Sequence, residues 1–93
     1  ELPVSAEHQK TSIVFQVEHT PGSLYKVLAA LAESKINLAK IESRPVPGKP
    51  WEYSFYVDIE GDEKSEEVRE ALDKAESHTT LFRVLGSYPM DTN

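Results

Sequence analysis

Between Ser12 and Glu18 the apolar residues Ile13, Phe15 and Val17 alternate with Ser12, Gln16 and Glu18, the two-residue period of a strand with one buried face. Thr20-Pro21-Gly22 comes next. Thr20 can cap a helix, and Pro21 suits its first position, where no amide hydrogen is needed. Leu24, Val27, Leu28 and Leu31 then recur at i, i+3, i+4 and i+7, a helical stripe that fades at Ser34-Lys35. Beside it run Tyr25, Ala29 and Ala32, small enough at two of three positions for a second helix to approach.

Ile36 to Val46 reads as a long extended stretch, with Ala39, Ile41 and Ser43 on one side and Leu38, Lys40, Glu42 and Arg44 on the other. Outward charges of this kind suit an edge strand. Pro45, Pro47, Gly48 and Pro50 make a rigid connection to a third strand, Glu52 to Glu60, and the pair predicts a hairpin. In that strand Tyr53, Phe55, Val57 and Ile59 alternate with Ser54, Tyr56 and Asp58. Gly61-Asp62 breaks it and opens a second helix on the stripe Val68, Ala71, Leu72 and Ala75. Thr79 to Ser87 returns to alternation as a fourth strand, before a loose Tyr88-Pro89-Met90 tail.

Strand, helix, strand, strand, helix, strand predicts an α+β domain of the ferredoxin-like βαββαβ plan, a four-stranded antiparallel sheet with both helices on one face. In its usual sheet order, 4-1-3-2, strand two is an edge. Helix one crosses above strands two and three, so the exposed strand and the alanine flank of the helix share a side where a second copy can add on. The domain spans residues 11–90, with Glu1 to Lys10 an arm or linker remnant and residues 91–93 a tail.

Composition narrows what such a domain can do. At 93 residues the chain has room for one core and little room for an enclosed active site. The absence of cysteine excludes disulfides, zinc-thiolate sites and iron-sulfur clusters. No apolar run approaches the length of a membrane span, and the polar start is neither a signal peptide nor a basic transit segment, so the expectation is a cytoplasmic chain that meets no membrane. The net charge of −6 argues against nucleic acid and anionic lipid as partners. Eight acids and three bases between Glu60 and Glu76 carry −5 of it, the signature of a solvated helix face.

Several functions share this plan, and each is tested at its residues. An RNA-binding sheet needs aromatic and basic residues on its middle strands, whereas the open side of strands one and three offers Val14, Gln16, Tyr56 and Asp58. An acylphosphatase-like enzyme needs an arginine after strand one, and His19-Thr20-Pro21-Gly22-Ser23 has none. His8, His19 and His78 lie in no elbow or metal-ligand spacing; His8 reads as an arm residue, His78 as the end of the acidic helix, and His19 alone lies near a plausible pocket. Catalytic residues, metal ligands and cofactors are therefore not expected. The informative constellation is the turn His19 to Leu24 with the strand Asn37 to Pro45. A helix start carrying Gly22 offers free amides and close backbone approach to a small carboxylate, but a plain capped turn has the same amides, and the residues alone favour the cap.

Two segments carry a resemblance: Gly22-Ser23-Leu24-Tyr25 and Glu42-Ser43-Arg44-Pro45, supported by Asn37-Leu38, Trp51-Glu52-Tyr53 and Leu85-Gly86-Ser87-Tyr88-Pro89. From Lys10 to Pro89 the sequence resembles the ACT domain, a regulatory amino-acid-binding module, and most closely the C-terminal ACT domain of prephenate dehydratases. Arogenate dehydratases and aromatic amino acid hydroxylases carry kindred domains. The family's Glu-Ser-Arg-Pro motif is matched in full, while its Gly-Ala-Leu-Val turn stands here with Ser23 and Tyr25 at its second and fourth positions. The resemblance implies an allosteric sensor for L-phenylalanine without catalysis of its own, controlling the catalytic domain of a parent prephenate dehydratase. That catalytic region has a Thr-Arg-Phe motif, which does not occur here. It also implies a homodimer through the strand-two edge and helix one. Pro21, Gly22, Ser23 and Leu24 of one subunit would enclose the ligand with Asn37, Leu38, Lys40 and Ile41 of the other, and Glu42, Ser43, Arg44 and Pro45 would form a regulatory motif that orients the pocket strand. The alternatives are another amino acid, an ACT domain that only dimerises, or a small ferredoxin-like enzyme.

Overall fold

The computed structural model describes residues 9–89. Its elements are β1 (Gln9–Gln16), α1 (Ser23–Glu33), β2 (Leu38–Val46), β3 (Lys49–Glu60), α2 (Glu66–Glu76) and β4 (Leu81–Pro89). The strands form one antiparallel sheet in the order β2-β3-β1-β4, the expected βαββαβ arrangement with β2 and β4 at the edges. Among the described residues no helix is long and apolar enough to cross a membrane.

Alternation decides which face of the sheet the helices cover. Ile13 and Phe15 of β1 and Val57 and Ile59 of β3 are buried and meet Val27, Ala30 and Leu31 of α1 and Val68, Ala71, Leu72 and Ala75 of α2 in a single core. The α2 stripe is the one the sequence predicts. In α1 the buried set shifts: Ala30 replaces Leu28, which is half-buried, and Leu24 packs at the core margin. Thr11 is fully buried, and its hydroxyl pairs with the Gly61 carbonyl oxygen and with Ser87 Oγ, both at 2.7 Å. Ser87 Oγ in turn accepts the Glu63 amide at 2.9 Å, so a polar knot ties β1, β4 and the β3–α2 connection together.

Element ends differ from the sequence reading, and long-range bonds explain most of the differences. Gln9 and Lys10 pair with Pro89 and Tyr88, which moves residues expected in an arm and a loose tail into β1 and β4; Met90 and His8 lie outside the described residues. Val17 and Glu18 fall beyond β1, although Val17 still packs on the core. Ile36 belongs to the end of α1 and not to a strand. The Lys35 amide donates to the Ala32 carbonyl and the Ile36 amide to the Leu31 carbonyl, with Lys35 at φ +62 and Ile36 against the core, a full Schellman closure. β3 begins at Lys49, earlier than the predicted Glu52, because Val46 pairs with Lys49 across a two-residue turn. α2 begins at Glu66, later than Gly61-Asp62 suggests, behind Ser65, whose Oγ accepts the Val68 amide at 3.2 Å.

Three register shifts interrupt the sheet, one of them between Pro45 and Val46, and the other two change side-chain directions within β2 and β4. Between Leu38 and Lys40 the register with β3 shifts, so Leu38 lies on the helix side with Ile41 and opposite to Lys40, Glu42 and Arg44, which corrects the expected grouping. In β4 the shift falls between Val84 and Gly86, leaving Leu85 without an opposite residue on β1. Thr79 and Thr80 precede β4, although the Thr80 amide still reaches the Gln16 carbonyl at 2.8 Å.

Candidate functional site

The start of α1 lacks the devices that close the start of α2. Its N-cap is Gly22, at φ 85 and ψ −6, with no side-chain cap and no acidic residue in the first turn. α2 has both, in Ser65 and in Glu66 and Glu67. Thr20 is therefore not the cap and Pro21 not the first helical residue; the Thr20 carbonyl accepts the Ser23 amide at 3.2 Å in a turn that precedes the helix. A glycine N-cap carries no side chain that can fold over the first turn. The amides of Leu24 and Tyr25, which have no partner inside the helix, stay open to a ligand with the positive end of the helix dipole behind them.

Next to this turn lies an open cleft of about 340 Å³. Pro21, Ser23 and Leu24 form one side and Val17, Trp51, Tyr53 and Phe55 the other, and Glu18, His19 and Glu52 line it as well. Its apolar depth comes from alternation in β3, where Tyr53 opposes Pro45 and Phe55 opposes Ser43 on the helix side. Sequence reasoning placed none of the β3 aromatics at a site. The signal was present in Trp51-Glu52-Tyr53, but the predicted strand began at Glu52, which hid the alternation Trp51, Tyr53, Phe55.

The remaining predicted site residues sit elsewhere. Asn37 precedes β2, its carbonyl accepting the Glu60 amide at 2.9 Å and its side-chain amide donating to Glu60 at 3.4 Å. Leu38 and Ile41 lie on the helix side of the edge strand, opposite Ile59 and Val57, and Ile41 is 45% exposed although apolar. Lys40 faces the other side, opposite Asp58. Within one chain the turn and the segment Asn37 to Ile41 line no common cleft among the described residues. Glu42 and Arg44 project together, as predicted, and pair at 3.4 Å with the Arg44 guanidinium 4.8 Å over the Tyr56 ring. Ser43 and Pro45 face the helix side.

The helix-free face is richer in charge than strands one and three alone suggest. Lys10, Lys40, Arg44 and Arg83 stand there among Glu42, Asp58 and Glu60. Opposite charges are interspersed, Ser12 donates to Asp58 at 2.6 Å, and Tyr56 and Tyr88 lie under Arg44 and Lys10. No bare aromatic platform for bases results. His78 ends the acidic helix as expected, its amide on the Ala75 carbonyl at 3.1 Å. Among the described residues no three His, Asp or Glu side chains are grouped to hold a metal ion.

Fold and cleft together define a small α+β binding domain that offers a ligand unoccupied helix-start amides beside an aromatic wall. Residues 11–77 match the ACT domain family, and the chain belongs to it. Over 80 residues it is 50% identical to the bifunctional chorismate mutase/prephenate dehydratase of Aquifex aeolicus, covering 86% of this chain and 22% of that protein. The fold superposes on the prephenate dehydratase of Arthrobacter aurescens in complex with L-Phe with a TM-score of 0.81 at 33% identity, over 96% of this chain and 29% of that one. A quorum quenching acylase, GqqA, gives a TM-score of 0.86 at 30% identity, over 99% of this chain and 33% of that one. The chain thus spans between a fifth and a third of the length of the curated relatives it matches.

Proposed function

We propose that this chain is the phenylalanine-sensing regulatory domain of a prephenate dehydratase, and that it works as a homodimer. The observation that carries the reading is the open N-terminus of α1 beside the cleft lined by Trp51, Tyr53 and Phe55. A zwitterionic aromatic amino acid needs amide donors for its carboxylate, an acid for its ammonium and an apolar wall for its ring. The first turn of α1, Glu18 or Glu52, and the β3 aromatics supply these in turn. The similar Arthrobacter protein is a prephenate dehydratase bound to L-Phe, which supports the same effector here. The Glu42 to Pro45 motif orients the edge strand that borders the site, and the parent's catalytic region performs the chemistry that the sensor controls.

Exposed apolar side chains on one side support pairing with a second copy there. Leu38 and Ile41 on β2 and Tyr25, 72% exposed, with Leu28 and Ala32 on α1 form one flank; Tyr25, Leu28 and Ala32 follow at i, i+3 and i+7. Ala29, expected on this flank, lines with Tyr25 a groove that extends to Lys74, Ser77 and His78 at the end of α2. Pairing at β2 would bring Asn37, Leu38, Lys40 and Ile41 of a second copy to the Pro21 to Leu24 turn, which one chain by itself does not do.

Burying a benzyl group is worth about 1.5 to 3 kcal/mol and a carboxylate at a helix start about 0.3 to 2 kcal/mol. After association and ordering costs this corresponds to a dissociation constant between roughly micromolar and millimolar. Calorimetric titration with L-phenylalanine, L-tyrosine, L-tryptophan and L-alanine tests the reading. L-phenylalanine should bind in that range and ahead of L-alanine; no heat at several millimolar would overturn it.

A further inference from the structure

We infer that the groove between α2 and β4 is the surface through which this domain meets a basic, partly apolar face of its parent's catalytic region, a step that rests on the sensor reading above. β4 is the margin of the sheet farthest from β2, with β1 and β3 between them. Along it Val84 and Leu85 are apolar yet 38% and 58% exposed. Phe82 and Val84 line a groove of about 330 Å³ together with Leu72 of α2. Leu85, left without an opposite residue on β1, adjoins it on the same margin. The groove shares no residue with the cleft at the start of α1.

Two observations choose the occupant. The first is the point of attachment. Gln9 opens β1 opposite Pro89, and its carbonyl accepts the Gly61 amide at 2.6 Å, so chain preceding Gln9 leaves the domain at the corner where β4 ends and the connection to α2 begins. Glu63 stands in that connection, its amide on Ser87 Oγ, and lines the groove. A catalytic region upstream of Gln9 is therefore tethered beside the groove. The second observation is charge. Glu63, Asp73 and Glu76 line the groove against a single base, Arg69. Lysines or arginines around apolar side chains complement such a surface, whereas a second copy would bring the same acidic margin and be repelled. A purely solvated helix face has no use for Val84 and Leu85 beside it. Contacts between domains of one chain are of this mixed kind, more polar than those of obligate partners.

Amide exchange from Phe82 to Leu85 should be at least tenfold slower in the parent enzyme than in the isolated chain, and Leu85→Arg should abolish the difference. Because Leu85 is exposed, Leu85→Arg should leave the melting temperature and L-phenylalanine affinity of the isolated chain unchanged. In the parent enzyme it should raise the L-phenylalanine concentration for half-inhibition at least tenfold without lowering uninhibited turnover. Asp73→Lys combined with Glu76→Lys should repeat that loss of inhibition. Equal exchange in the two forms, or normal inhibition in Leu85→Arg, would overturn the contact and leave the sensor standing. Sedimentation in which the isolated chain grows beyond a dimer, and Leu85→Arg stops that growth, would assign the groove to a second copy and overturn it too. An unmodified chain that binds no L-phenylalanine would remove the sensor, while the exchange comparison would still decide the contact.

Discussion

Gly22 can matter through its backbone angle or through the space its missing Cβ leaves to a ligand, and two substitutions separate these. At φ 85 an L-residue costs about 1 to 2 kcal/mol in the left-handed region, so Gly22→Ala should lower the melting temperature by roughly 5 to 15 °C for a domain of this size. No protein atom lies within 4 Å of a Cβ built at Gly22, so no internal clash adds to that strain. Strain alone, however, can weaken binding about five- to thirtyfold if it depopulates the turn, since about 1.4 kcal/mol is tenfold. A loss of affinity in Gly22→Ala by itself therefore decides nothing. Gly22→Asn decides, because asparagine tolerates the left-handed region while presenting a side chain where the ligand carboxylate would approach. The expected result is a melting temperature for Gly22→Asn closer to wild type than that of Gly22→Ala, with L-phenylalanine affinity down at least tenfold in both. Differential scanning calorimetry and isothermal titration give the two numbers. Wild-type affinity in Gly22→Asn would show that the glycine serves only the turn, and wild-type affinity in Gly22→Ala would remove the turn from the site.

Ala32→Glu places a charge on the exposed α1 flank and should raise the dimer dissociation constant and weaken L-phenylalanine together; sedimentation showing an unchanged dimer would refute that flank as interface. Thr11→Val keeps volume but leaves the Gly61 carbonyl oxygen without its hydroxyl, a loss of about 1 to 3 kcal/mol in urea unfolding at unchanged slope, against less than about 1 kcal/mol for Thr11→Ser. Gly61→Ala should destabilise more than an ordinary surface change, because its Cβ would stand 2.7 Å from Val68 Cγ2 at a φ of +129; equal stability would contradict the packing. Arg44→Ala should cost about 0 to 1 kcal/mol of stability, since the ion pair is exposed, yet should impair feedback inhibition in the parent enzyme; normal phenylalanine binding and normal inhibition would refute the orienting role.

Elements were legible in this sequence wherever one local period ruled. Val68, Ala71, Leu72 and Ala75 announce α2 because a helix needs only its own stripe and a nearby cap. Ile36 was misread as strand because the Schellman closure uses Lys35, not glycine, at its left-handed position, and nothing in the local pattern marks it. Leu38 was placed on the wrong face because a bulge is a property of two strands in register, invisible in one. The turn half of the site was readable from Pro21-Gly22. The aromatic half was not, because Trp51 and Tyr53 meet the turn only after β1 and β3 have paired.

The two edges of the sheet differ in a way that limits growth. In β4 the irregularity at Leu85 falls mid-strand and leaves no more than four consecutive paired positions on either side. In β2 the irregularities lie at the two ends, after Leu38 and before Val46, and Lys40 to Pro45 run in unbroken register. An incoming strand therefore finds a continuous template on one edge only. Two copies that paired through β2 about a twofold axis would consume the only continuous template among the described residues of each. A pair of interrupted β4 margins would remain outside, so such addition would stop at two and not continue into a ribbon.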